Sequence, residues 1–221
     1  MKKEIYVSVS TDPINEFQLV YEYAKELQGT ADFLHCDIMD GKFVPRVTFD
    51  HQLVNNINQN SAIMLDVHLM CDEPLKLIDE YIKAGANIIT VHYEAFKDKE
   101  DLLKAVKKIK NANILAGISI NPKTSLNEIR MYLHMFDIVL IMSVEPGASG
   151  QKFLTESLDK IKNLNNIRET NNFKFKIEVD GGVNNDNLKD IVEAGVDMIV
   201  SGSYIYKSKN RKEAIQKIKS M

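Results

Sequence analysis

The stretch Gly29-Thr30-Ala31-Asp32-Phe33-Leu34-His35-Cys36-Asp37-Ile38-Met39 decides how this chain is read. Gly29 follows an amphipathic run over residues 15–27 and suits the left-handed position that closes a helix. Residues 33–39 then form a near-continuous apolar run of strand length. Runs of that kind, rather than strict alternations, mark parallel strands covered on both faces. The same punctuation returns at Gly85-Ala86-Asn87-Ile88-Ile89 and at Gly195-Val196-Asp197-Met198-Ile199. A helix closing into a buried strand is therefore a repeating unit.

Working outward, this pattern predicts strands over residues 5–10, 33–39, 63–70, 87–94, 114–121, 138–144, 175–181 and 198–206. Helical patterns lie between them, over 15–27, 74–84, 98–110, 125–136, 154–168, 185–194 and 210–219. A further one over 50–60 is diluted by asparagine. In 98–110 the residues Leu102, Leu103, Val106 and Ile109 mark one apolar face. No linker, low-complexity tract or composition shift interrupts the alternation, so residues 1–221 are expected to be one domain. Eight parallel units in this length fit a closed (β/α)8 TIM barrel. An open doubly wound sheet fits less well, because no G-x-G-x-x-G turn follows the first strand.

Composition narrows the function. Twenty-eight Lys and Arg against 31 Asp and Glu leave a net charge of −3, with no basic block to draw a nucleic acid or an anionic membrane. Cys36 and Cys71 are too few for a disulfide scaffold and fit a reducing compartment. No stretch approaches about 20 apolar residues. The first 17 residues break into charge and proline before a signal peptide could form. A soluble, cytoplasmic protein is the expectation.

In such a barrel, chemistry collects at the C-terminal ends of the strands. Side chains alternate along a strand, so His35 and Asp37 share a face on the second strand, and Asp66 and His68 share one on the third. Asp180 stands at the tip of the seventh. If these faces point inward, His35, Asp37, His68 and Asp180 converge at one mouth, a donor set suited to a divalent ion such as zinc, iron, cobalt or manganese. Each residue alone reads rather as a core hydrogen bond or a helix cap than as a ligand; four at equivalent depth in three strands favour the metal. His92, late in the fourth strand, is placed to line the same mouth, whereas His51 and His134 read as helix or surface positions. Met39, Met70 and Met142 end their strands as core filler or as an apolar floor, and Cys36 alternates outward.

Glycine-rich turns follow the later strands: Gly147-Ala148-Ser149-Gly150, Gly181-Gly182 and, within Ser201-Gly202-Ser203, a third. Glycine lets backbone N–H groups approach an anion closely, and barrels often seat a phosphate after strands seven and eight. The predicted ligand is a small phosphorylated molecule whose other end reaches the ion.

The blocks HCDIMDGKFVP (35–45), LDVHLM (65–70), MSVEPGASGQKF (142–153), EVDGGV (178–183) and SGS (201–203) resemble the ribulose-phosphate 3-epimerase family over essentially the whole chain. That resemblance implies a barrel of the ribulose-phosphate-binding type, and D-ribulose 5-phosphate and D-xylulose 5-phosphate as substrates. It implies His35, Asp37, His68 and Asp180 as ligands of one divalent ion, Zn2+ first, with Fe2+, Mn2+ or Co2+ as alternatives. Asp37 and Asp180 would be the acid/base pair for proton transfer at carbon 3 through a metal-stabilised enediolate, a step of the pentose phosphate pathway. Ser8, His68, Gly147, Ala148, Ser149, Gly150, Asp180, Gly181, Gly182, Gly202 and Ser203 would contact the sugar phosphate. A homo-oligomer, dimer or hexamer, is implied as well.

Three departures touch the substrate loops. The family's P-S-x-L-S-A-D opening is Val7-Ser8-Val9-Ser10-Thr11-Asp12, one residue short, so Ser10 competes with Ser8 for the substrate. The usual G-F-G-G loop is Gly147-Ala148-Ser149-Gly150, and Arg46 stands where an Asn follows the F-V-P proline. These changes keep D-allulose 6-phosphate, one carbon longer, as an alternative substrate. A related sugar-phosphate lyase would need a Lys among the carboxylates, and a non-catalytic phosphate-binding barrel would not need all four ligands.

Overall fold

The computed structural model describes residues 4–148 and 150–221. Its strands are β1 (Tyr6–Ser10), β2 (Phe33–Met39), β3 (Met64–Met70), β4 (Ile88–His92), β5 (Leu115–Ile120), β6 (Ile138–Met142), β7 (Lys176–Asp180) and β8 (Met198–Ser201). Each pairs in parallel with the next, and β8 closes onto β1, making a (β/α)8 barrel. The larger helices between them are α1 (Phe17–Leu27), α2 (His51–Asn60), α3 (Pro74–Ala84) and α4 (Lys99–Asn111). A short α5 (Leu126–Ile129) precedes α6 (Glu156–Thr170) and α7 (Leu188–Ala194). After β8 come α8 (Ser203–Tyr206) and α9 (Arg211–Lys219).

The fourth strand ends at His92 rather than at residue 94, giving way to a 3-10 turn over Tyr93–Ala95, and two other predicted elements differ further. The eighth strand stops at Ser201, because bonds from the Tyr206 and Lys207 amides to the Gly202 and Ser203 carbonyls wind residues 203–206 into a helical turn. The helix over 125–136 is α5 alone, followed by a tighter 3-10 turn at Leu133–Met135; Ile129 and Leu133 stay buried across the break. The asparagine-rich segment does fold as α2, with Asp50 capping the Gln52 amide at 2.8 Å and Leu53, Val54 and Ile57 buried.

Cys36 packs, as alternation predicts, in the core between strands and helices. Inside the barrel, the even strands contribute a bottom layer of Phe33, Ile88, Ile138 and Met198, the alternate-strand stacking that fills such barrels. Beside them in register stand Ser8, Asp66, Gly117 and Glu178 of the odd strands. Two residues further up, side-chain alternation gives His35, Thr90, Leu140 and Val200, and then Ser10, His68, Ser119 and Asp180. The interior therefore has an apolar floor, with ionisable groups starting beside it at Asp66 and Glu178 and continuing up to the mouth.

At the floor, the repeat read from sequence has a structural purpose. Asp32, Asn87, Asp137 and Asp197 each immediately precede or closely precede an even strand. Their side chains accept from the amides of Val7, Leu65, Ala116 and Ile177 on the preceding odd strands, at 2.7 to 2.9 Å. Their own amides donate back to the carbonyls of those same four residues. Asp137 performs this role without the glycine that flags the other three. Arg168 adds a charge-assisted bond to Asp197. Asp197→Ala should lower stability by about 1.5–3 kcal/mol, and the exposed, uncharged Asn87→Ala by about 0.5–1.5 kcal/mol. Urea unfolding midpoints measure both; equal shifts would contradict this ranking.

Candidate functional site

The mouth of the barrel opens over β1, β2, β6, β7 and β8, and its cavity is lined by Ser10, Asp37, Met142, Asp180, Gly182 and Ser203 among others. His35 and His68 lie fully buried just beneath. Parallel pairing of β2 with β3 sets His35 opposite Asp66 and Asp37 opposite His68. Three atoms then form a nearly equilateral triangle: His35 Nε2 to His68 Nδ1 is 3.3 Å, and Asp37 Oδ1 is 3.4 Å from each. Asp180 completes a set whose ligand atoms all lie within 4.8 Å of one another. Bonds of about 2.1 Å to a four-coordinate ion put neighbouring ligand atoms about 3.4 Å apart. Two imidazole nitrogens and two carboxylates at that spacing fit a divalent ion.

The remaining polar atoms of these residues are anchored. His35 Nδ1 contacts Asp66 Oδ2 at 2.6 Å, and Ser8 Oγ donates to the same oxygen at 2.8 Å. Ser10 Oγ donates to Asp37 Oδ2 at 2.8 Å, leaving Oδ1 for the triangle. A ligand held from behind in this way keeps its ring or carboxylate oriented. His68 Nε2 contacts His92 Nε2 at 2.9 Å, and His92 Nδ1 contacts Glu94 Oε2 at 3.2 Å.

Burial alone would raise Asp37, but His35 and His68 outweigh it and hold the carboxyl well below its usual range. Burial would likewise depress His35, yet Asp66 and Asp37 keep it well above the ordinary histidine value. Asp180 is pushed up to about 7, first by burial and then by the charge on Asp37. Burial takes His68 down to about 4. Glu178, in the layer below and 4.0 Å from His35 Nδ1, is raised well above its usual value by burial and by Asp66.

The predicted substrate loops separate into two groups. Gly147, Ala148, Gly150, Gly181, Gly182, Gly202 and Ser203 all line the cavity; Ser149 lies outside the described residues. Gly181 and Gly182 have φ of 119° and 64°, and a Cβ on Gly182 would stand 2.4 Å from the Phe153 amide nitrogen. No side chain fits there, so the backbone is bared to the cavity. Of the two candidate serines, Ser10 lines the cavity, whereas Ser8 is fully buried one layer lower and committed to Asp66. Arg46 turns away to the loop after β1, bonding Asp12 and, at 3.2 Å, Asn15 Oδ1. Met39, Met70 and Met142 line the cavity as an apolar floor. Asp66, Glu178 and Glu94 were not singled out as site residues by sequence; each is an acid two residues from a site or mouth residue on the same strand or at its end.

The family described as Ribulose-phosphate 3 epimerase matches residues 6–206. Curated relatives named ribulose-phosphate 3-epimerase include that of Aquifex aeolicus, 38% identical over 88% of this chain and 86% of its own. The protein of Helicobacter pylori is 40% identical over 90% and 91% of the two chains. The chloroplastic enzyme of Arabidopsis thaliana is 40% identical over 99% of this chain and 78% of its own. Among solved structures, 3-keto-L-gulonate-6-phosphate decarboxylase from Vibrio cholerae superposes with a TM-score of 0.72 at 13% identity, covering 99% of this chain and 98% of that one, a likeness of fold alone. By its sequence, the chain belongs to the ribulose-phosphate 3-epimerase family.

Proposed function

We propose that residues 1–221 act as one barrel domain that interconverts D-ribulose 5-phosphate and D-xylulose 5-phosphate, as the names of its relatives indicate. The observation that carries this reading is the pair Asp37 and Asp180, delivered by β2 and β7 to one cluster at the mouth. Inverting a carbon beside a ketone requires proton removal from one face and proton delivery to the other. One positioned base serves one face, so two carboxyl groups approaching from different strands suit the task. Either one starts as base, according to the epimer bound. The bared backbone of Gly181 and Gly182, with Gly147, Gly202 and Ser203, supports seating of the phosphate. Ser10, bonded to Asp37 and lining the cavity, supports a role in orienting both that carboxylate and the substrate.

His35, Asp37, His68 and Asp180 would hold the divalent ion, for which Zn2+ is the first choice by donor type. When bound, such an ion supplies Lewis-acid stabilisation of negative charge developing on substrate oxygens. D-allulose 6-phosphate is a second substrate reading, favoured by the small Ala148 in the cavity wall. The described cavity lining includes no lysine, which disfavours the lyase chemistry. A cytoplasmic setting, supported by the free thiols Cys36 and Cys71, and a dimeric or hexameric assembly belong to the same proposal.

Proton NMR in D2O with each sugar phosphate tests the reaction. Deuterium should enter at carbon 3 as the epimer appears, with the faster of the two sugars identifying the substrate. Asp37→Asn and Asp180→Asn should each abolish epimer formation while circular dichroism stays that of a folded barrel; near-normal turnover in either would refute the two-base assignment. Zinc should also raise the unfolding temperature, by the equivalent of about 2.7 kcal/mol at a hundredfold excess over its Kd. An unchanged melting curve would argue against the ion site.

A further inference from the structure

His92 and Glu94 take no part in the chemistry above, yet they lie directly behind a predicted ligand. β4 ends at His92 and turns at once into a 3-10 turn, Tyr93–Ala95, which carries Glu94 back beside the His92 ring. His92 is fully buried and packs against the Phe43 ring at 4.8 Å. Glu94 is fixed from the far side: its Oε1 accepts from the Asn121 amide at 2.8 Å and from the Thr124 hydroxyl. Lys160 of α6 in turn donates to the carbonyls of Asn121, Pro122 and Thr124, at 3.1, 2.6 and 2.8 Å, holding that loop in place. Burial would raise the Glu94 carboxyl, but these bonds and His92 bring it down to about 2.

From this geometry we propose that Glu94 and His92 are positioning residues, forming a relay that decides which ring nitrogen of His68 is free to hold the divalent ion; the inference rests on the metal reading of the site. A carboxylate only accepts hydrogen bonds, so the proton between Glu94 Oε2 and His92 Nδ1 belongs to the ring. A singly protonated His92 ring with its proton on Nδ1 then carries its lone pair on Nε2. The 2.9 Å contact between the two Nε2 atoms needs one proton, and that proton must sit on His68. Neutral His68 is left with its lone pair on Nδ1, the atom that forms a corner of the triangle with His35 Nε2 and Asp37 Oδ1. The opposite set of tautomers would put a hydrogen where the ion belongs. His35 obtains the same result directly from Asp66; His68 obtains it through an intervening imidazole. A carboxylate–histidine–histidine–metal chain is an extended form of the carboxylate backing common behind metal-bound histidines.

The test uses the full chain with Zn2+ as the probe. Long-range 1H–15N spectra of the zinc-loaded wild-type protein report each ring nitrogen, and competition with a chromophoric chelator reports affinity for wild type, Glu94→Gln and His92→Phe. The expected spectrum has His68 ligating through Nδ1 and protonated at Nε2, with His92 protonated at Nδ1. Both variants should bind zinc 10- to 100-fold more weakly, and Glu94→Gln should lose the single His92 tautomer, because its amide can donate as well as accept. His68 ligating through Nε2, His92 protonated at Nε2, or wild-type affinity in both variants would overturn the relay while leaving the metal site standing. A wild-type protein that takes up no zinc would overturn the metal reading and the relay together. The wild-type spectrum decides even where a variant fails to fold.

Discussion

The register between β2 and β3 is the constraint on which the rest of the site depends. With His35 opposite Asp66 and Asp37 opposite His68, each imidazole has a carboxylate across the strand pair and one on its own strand. A slip of one residue would turn the two ionisable side chains of the shifted strand out of the barrel and into the helical layer, leaving the other two without partners. A slip of two would keep them inside but separate His35 from Asp66. The apolar residues between them, Leu34, Cys36, Val67 and Leu69, enforce the register by packing outward under the helices. The same alternation thus specifies the core and the chemistry.

Placing so many ionisable groups in a barrel interior is costly unless each finds a partner. The interior answers with complementary pairs: His35 with Asp66, Asp37 with Ser10, His68 with His92, His92 with Glu94. Two carboxyls, Asp180 and Glu178, are instead pushed upward by burial and by a neighbouring negative charge. An ion amid Asp37 and Asp180 would relieve that repulsion, so the electrostatics of the protein alone already lean towards a cation.

Much of this was legible in the chain. The strand positions follow from apolar runs, and the convergence of His35, Asp37, His68 and Asp180 follows from the alternation that turns all four inward near the C-terminal ends of their strands. The resemblance read from HCDIMDGKFVP agrees with the family match. What the sequence hid were distances between elements that only closure brings together. Ser8 and Ser10 share a face of β1, and only the register of β1 against β2 separates a serine bonded to Asp66 from one bonded to Asp37. Glu94 reads in the sequence as the end of the fourth strand, whereas the backbone leaves that strand at His92 for a 3-10 turn that brings Glu94 back beside the His92 ring. The late ends of β8 and of the 125–136 segment were overdrawn because apolar residues continue after the backbone changes conformation.

The four Asp and Asn side chains at the floor have an implication for how the barrel is divided. They tie β1 to β2, β3 to β4, β5 to β6 and β7 to β8, so the closed sheet is assembled from four clasped quarters. The candidate ligands are drawn from three of them: His35 and Asp37 from the first, His68 from the second and Asp180 from the fourth. The loop that anchors Glu94 follows β5, in the third. The side-chain clasps lie within quarters, while the carbonyls of Asp197, Asn87 and Asp137 bond across to Tyr6, Leu115 and Lys176 of the next quarter. An ion at the mouth would then be a keystone as well as a reagent, tying together strands from three of the four quarters.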